Sequence, residues 1–153
     1  MKLAIVGLGG SYSDYIAARI RSETFDEVWG INCVGGIIHV DKTIMMDPVS
    51  RFLDSDDAGS QTGIARKFLE KNTKPIITCE MDSRVKHLEL YPLEAVIKDL
   101  NVCYFNNTVP YAIAYAIYYG VKELCLYGLD YTYKNVSMAE AGRACTEFWC
   151  AIA

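Results

Sequence analysis

Short, continuously apolar runs alternate with stretches of helical periodicity along this chain. The runs fall at Leu3–Val6, Glu27–Asn32 (EVWGIN), Thr43–Asp47 (TIMMD), Pro75–Cys79, Val102–Phe105 and Glu123–Tyr127. Each is hydrophobic throughout rather than at alternate positions, as strands covered on both faces are, which predicts a parallel sheet. Leu93, Val96, Ile97 and Leu100 recur at helical spacing behind Pro92, a residue suited to a first turn. Val109–Tyr119 is apolar nearly all round and predicts a buried helix, with Asn107 or Thr108 as its cap and Gly120 as its end. A last helix is predicted from the capping-box pattern Ser137-x-x-Glu140. Its apolar face carries Ala141, Cys145, Phe148, Trp149 and Ile152, and Arg143 and Glu147 pair on the other face.

Two segments are less regular. Cys33–Lys42 contains Gly35-Gly36 and predicts only a short helix, while Val49–Gly63 (VSRFLDSDDAGSQTG) is acidic and reads as a mobile loop. No internal repeat or composition break divides residues 1–153. The expectation is one Rossmann-like α/β domain, a doubly wound, mostly parallel sheet of about six strands joined by right-handed crossovers. The final helix closes on FWCAIA without a C-cap, which fits either tight docking or a natural chain that continues.

Composition narrows the classes of partner. Apolar residues make up 52% and charged residues 22%, the make-up of a folded globular chain. The net charge of −4, without basic runs or aromatic–basic interleaving, argues against nucleic acid and anionic membrane as partners. The six cysteines show no C-x-x-C spacing, and three lie in apolar runs, so they read as reduced core thiols of a cytoplasmic protein. The first apolar stretch is too short to span a membrane and meets glycines where a signal peptide would continue.

Polar residues collect where the runs end. They are Gly7-Leu8-Gly9-Gly10-Ser11, then Asn32, then Asp47-Pro48, then Glu80 and Asp82, then Asn106, Asn107 and Thr108, and last Gly128, Asp130 and Tyr131. In an open α/β sheet these ends share one edge, and ligands bind in the crevice outside it. Turns and caps also use these residue types. The glycines of the first turn would let the backbone approach a phosphate, with Ser11 at a helix N-terminus that favours an anion. A G-x-G-x-x-G fingerprint would need glycine where Tyr12 stands, and Asn32 replaces the expected ribose-binding acid. This disfavours NAD and leaves a mononucleotide or nucleotide-sugar. Asn107-Thr108, ahead of the buried helix, offers a second anion site or a simple cap. Asp54-Ser-Asp56-Asp57 fails as an EF-hand and reads as a solvated loop, although two carboxylates there could hold Mg²⁺ beside phosphates. No nucleophile elbow, Walker A sequence or histidine-based metal pattern is present around His39 or His87, so no resident metal is assigned.

GLGGS, IN, MMDP and NNTVPYAIAYAIYYGVKELCLYGLDY, in that order, resemble the glycosyltransferase-like family that joins bacterial lipooligosaccharide sialyltransferases, motility accessory factors and MptE-like pterin pyrophosphokinases. The likeness is most specific from Tyr119 to Asp130. Residues from Val49 to Asp99 have no counterpart. By this resemblance Gly7, Gly9 and Ser11 would lie against phosphate and ribose, and Asn32 would touch the nucleotide. Asn107 and Thr108 would sit near the donor and Asp130 near base or ribose. Tyr131 or Tyr133 would stabilise the leaving phosphate. Gly10, Asp47 and Gly128 join the candidate nucleotide-binding set as strand-end residues. The sialyltransferases carry a histidine base after their last conserved strand, whereas no histidine occurs between Asp130 and Ala153, so no catalytic residue is assigned. The expectation is therefore a nucleotide-sugar-dependent transferase. The alternatives are a nucleotide-binding protein without chemistry, or a Mg²⁺-dependent pyrophosphokinase using Asp47, Asp54, Asp56 or Asp82. The eleven tyrosines and the apolar last helix suit a homo-oligomer.

Overall fold

The computed structural model describes the backbone of residues 1–153 and every side chain except that of Ser60. Its strands are β1 (Lys2–Val6), β2 (Glu27–Ile31), β3 (Lys42–Met45), β4 (Ile76–Thr78), β5 (Leu88–Leu90) and β6 (Glu123–Tyr127). The helices are α1 (Tyr12–Ile20), α2 (Val49–Asp54), α3 (Ser60–Lys71), α4 (Leu93–Leu100), α5 (Thr108–Tyr118) and α6 (Val136–Ile152). A short 3-10 helix at Asn32–Gly36 lies between β2 and β3. The strands form one parallel sheet in the order β5-β4-β3-β2-β1-β6, a doubly wound Rossmann-like α/β arrangement.

Both faces of the sheet are covered, which is why the central strands read as unbroken apolar runs. Leu3, Ile5, Trp29, Ile31, Ile44 and Ile77 point to one side, against α5 and the Cys145 and Trp149 side chains of α6. Ala4, Val6 and Val28 point to the other, where Tyr15 of α1 packs, and Met45 and Ile76 meet Phe52 of α2 with Ala65, Phe68 and Leu69 of α3. Burial of α5 on nearly all sides explains its almost wholly apolar sequence.

Four expectations are corrected. Val102–Phe105 is not a strand, although its apolar content suggested one. Its backbone is held by side chains instead: the Tyr104 carbonyl accepts from Trp149 Nε1 at 2.6 Å, and Phe105 stacks between Tyr111 and Trp149 at 4.3 and 5.1 Å. The fifth strand is Leu88–Leu90, a short edge strand with only its first residue buried. Val49–Gly63 is not a loop; it holds α2 and the start of α3, anchored by buried Val49 and Phe52. The α6 cap is Asn135, whose side chain accepts from the Met138 amide at 3.1 Å, so Ser137 lies inside the helix.

The buried stripe of α6 is Gly142, Cys145, Thr146 and Trp149, because the Tyr131 ring packs onto Gly142; Ala141, Phe148 and Ile152 remain exposed. All six cysteines are free. Cys145 is buried, whereas Cys79, Cys103 and Cys150 are exposed and do not act as core residues. Among the described residues, no helix is long and apolar enough to cross a membrane.

Candidate functional site

The chain adds strands outward from β1 to β5 and then returns past β1 to place β6. The connections leaving β1 and β6 therefore diverge, with α1 on one face and α6 on the other. Such a switch point leaves a crevice at the C-terminal ends of the strands. Two cavities occupy it. One, of about 410 Å³, is bordered by Gly7, Gly9, Asn32, Gly128, Asp130 and Tyr131 among others. The second, of about 450 Å³, is bordered by Asn32, Asp47, Asn107 and Thr108 together with Phe105 and Tyr111. Ile31, Asn32, Val109 and Tyr133 line both, so they form one continuous groove.

The turn after β1 is locked to the turn after β6. Gly7 N donates to the Tyr127 carbonyl at 2.8 Å and Gly9 N to the Gly128 carbonyl at 2.7 Å. Gly128 N donates to Ser11 Oγ at 3.0 Å, and Ser11 N donates to Asp130 Oδ2 at 2.9 Å. A methyl group on Gly7 would lie 2.6 Å from the Gly128 carbonyl oxygen, and one on Gly9 would collide with the Asp130 carboxylate. Gly128, at φ +67°, faces the Gly7 carbonyl in the same way. The backbone approach these glycines permit is thus to each other and to Asp130, whose carboxylate sits at the N-terminus of α1 where the helix dipole favours an anion. Ser11 is turned inward by these bonds, and Gly10 has open space around it; neither lines the groove.

Across the crevice, Asn107 caps α5 by accepting from Val109 N at 3.1 Å, and its Oδ1 also accepts from the Tyr131 hydroxyl at 3.1 Å. That hydroxyl makes a second bond to Thr146 Oγ1, which ties the β6 turn to α5 and α6. Burial raises the Tyr131 pKa above the usual phenol value, which keeps the group neutral. Thr108 Oγ1 reaches Asn32 Oδ1 at 3.5 Å. Asn32 and Tyr131 both adopt left-handed backbone, φ +54° and +53°, an unusual conformation for a tyrosine in particular. Tyr133, 57% exposed, borders both cavities, with its ring edge-on to Tyr131 at 6.0 Å.

No lysine, arginine or histidine is among the described residues lining the groove. Its polar surface consists of amides, hydroxyls and the carboxylates of Asp47 and Asp130, beside aromatic rings. Such a lining suits the neutral hydrogen-bonding edges of a base, ribose or sugar better than it suits a bare phosphate cluster.

The acidic residues considered for Mg²⁺ do not fit that role, because each is held by an arginine. Asp47 pairs with Arg51 at 2.7 Å and Asp56 with Arg66 at 3.1 Å, while Arg84 bridges Asp54 at 2.5 Å and Asp82 at 2.6 Å. Hydrogen bonds from the Arg84 guanidinium hold the Asp82 carboxyl at about 2, and the same guanidinium lowers Asp54. Among the described residues, no group of three or more His, Cys, Asp or Glu side chains is placed to hold a metal ion.

Phe105 and Tyr111 are groove residues that sequence reading missed. Phe105 sat inside a run read as a strand, and Tyr111 inside a helix read as uniformly buried. The Pro110-Tyr111 step, a ring just inside a capped N-terminus, was the available signal. No protein-family model, curated protein or solved structure matches the chain.

Proposed function

We propose that this chain binds a nucleotide-sugar in the groove at the switch point and acts as a nucleotide-sugar-dependent transferase. One observation carries the reading: Asn32, Asn107, Thr108 and Tyr133, from three separate segments, converge on a cation-free groove beside stacked aromatic rings. Asn32 and Thr108 offer a nucleoside both donors and acceptors, and Phe105 and Tyr111 offer it a flat apolar wall. The resemblance to the glycosyltransferase-like family supports the same assignment.

Transfer would proceed by displacement at the sugar carbon, with the chain positioning the donor and stabilising the departing phosphate. Tyr133 is the better placed of the two tyrosines for that second role, since the Tyr131 hydroxyl is already committed to Asn107 and Thr146. The N-terminal end of α5 at Thr108 adds a favourable dipole for the phosphate. A second reading, nucleotide binding without turnover, is favoured by the geometry of Asp47, whose carboxylate is already paired with Arg51 at 2.7 Å. The pyrophosphokinase reading loses support because the arginines occupy its candidate carboxylates.

Thermal melting against cytidine and uridine nucleotides and their sugar conjugates tests the proposal. A ligand at ~100 times its dissociation constant stabilises the folded state by about 2.7 kcal/mol, a readable shift. The expected result is a shift with at least one nucleotide-sugar that Asn32→Ala removes, followed by detection of the released nucleotide. Binding without release would select the second reading. An absence of any nucleotide-dependent shift would refute both.

A further inference from the structure

The connection from β2 to β3 leaves a gap in the layer of helices. A parallel crossover ordinarily lays a full helix on the sheet, but residues 32–41 hold only the five-residue 3-10 helix. Gly35 allows this tight path, since a methyl there would lie 2.9 Å from Val40 and 3.1 Å from Phe68. The space a helix would have filled is a cavity of about 700 Å³ between this connection and α3.

The cavity combines an apolar wall with an unbalanced positive rim. Ile64, Lys67, Phe68 and Lys71 line it at i, i+3, i+4 and i+7, one stripe of α3, and Ile37 faces them from the short connection. Ile37, Ile64 and Leu8 are 64%, 59% and 56% exposed, so large apolar side chains border the cavity without being covered. Lys67, Lys71 and Lys74 stand at the cavity, and none has a carboxylate within ion-pairing distance among the described residues. No aspartate or glutamate is among the described residues lining it, in a chain whose acidic residues outnumber its basic ones, 19 to 15.

We propose that this cavity binds an amphiphilic anion, a small molecule with an apolar body and one carboxylate, phosphate or sulfate head. The body lies along Ile37, Ile64 and Phe68, and the head is met by the three lysines toward the end of α3. Charge complementarity identifies the head and the uncovered isoleucines identify the body. Leu8, Cys33 and Ile64 also border the groove at the sheet edge, so the tail end of the ligand adjoins that groove. The assignment does not rest on nucleotide binding there.

Isothermal titration of the intact chain without nucleotide, using decyl phosphate dispersed below its micellar concentration, tests the proposal. The comparators are decanol, inorganic phosphate, decyltrimethylammonium and phosphatidylglycerol vesicles. One equivalent of decyl phosphate should bind at least about tenfold tighter than any dispersed comparator, a gap easily resolved by titration. Lys67→Glu with Lys71→Glu should weaken it by about tenfold or more. Ile64→Ser, at an exposed position that folding does not depend on, should weaken it as well. Equal affinity for decyltrimethylammonium, unchanged binding in both variants, or no binding at all would overturn the assignment. Association with vesicles but not with dispersed decyl phosphate would replace it with a membrane-surface role.

Discussion

Gly9 shows how much of the site depends on a missing side chain. The Asp130 carboxylate and the Gly128 carbonyl both approach its Cα so closely that no methyl group fits. Gly9→Ala should therefore destabilise the fold by about 1–3 kcal/mol, the usual cost of forced overpacking. Gly10→Ala, facing open space one residue on, should change stability by no more than about 0.5 kcal/mol. Urea denaturation of the two variants measures the difference, and equal effects would contradict the interlocked turns. Residue types at the strand ends were legible in the sequence; what each glycine approaches was not. Gly7, Gly9 and Gly10 are alike as letters, and only the placement of Gly128 and Asp130, more than a hundred residues away, separates two packed positions from an open one. For the same reason Ser11 looked like a ligand hydroxyl, whereas its partners are Gly128 and Asp130.

At the scale of elements, α5 owes its start to one side chain. Asn107 satisfies the Val109 amide and also receives the Tyr131 hydroxyl, so its removal strips a helix cap and leaves a half-buried phenol with one partner fewer. Asn107→Ala should cost about 1–2 kcal/mol by denaturant titration. Asn107→Asp, which keeps both acceptors, should recover most of it. Elements buried on both faces were read directly, because β1, β2, β3 and β4 carry apolar runs that few other structures explain. One edge strand was not: Leu88–Leu90 has one buried residue and no periodicity to detect. Val102–Phe105 failed for the opposite reason, since its apolar side chains are recruited by Tyr111 and Trp149 rather than by a sheet neighbour. The acidic stretch after β3 looked like loop because its helices are short and its charges many; arginines distant in sequence, above all Arg84, neutralise those charges.

For the molecule as a whole, that arginine–carboxylate network contributes to the response to acid. Arg84 joins the end of α2 to the β4–β5 connection, and Asp54 and Asp82 both sit below the usual carboxylate range because of it, Asp82 at about 2. Carboxylates with lowered folded-state values bind fewer protons folded than unfolded once the pH drops below their ordinary values. The stability they supply is therefore complete above about pH 4 and is lost as the pH falls toward 2. Melting temperature followed from pH 5 to pH 2 should fall steeply in the natural chain and less steeply in Arg84→Gln. Parallel curves would show that other carboxylates dominate.

The locked turns after β1 and β6 have a kinetic meaning as well. Gly7, Gly9 and Ser11 donate to the end of β6 and its turn while Gly128 donates back, so these amides form one interlocked set. Their hydrogens should exchange with solvent at one common rate, as a single cooperative unit. A ligand arriving at the sheet edge then meets one rigid jamb, and any widening of the entrance has to come from the opposite side, where the short β2–β3 connection and α3 face each other.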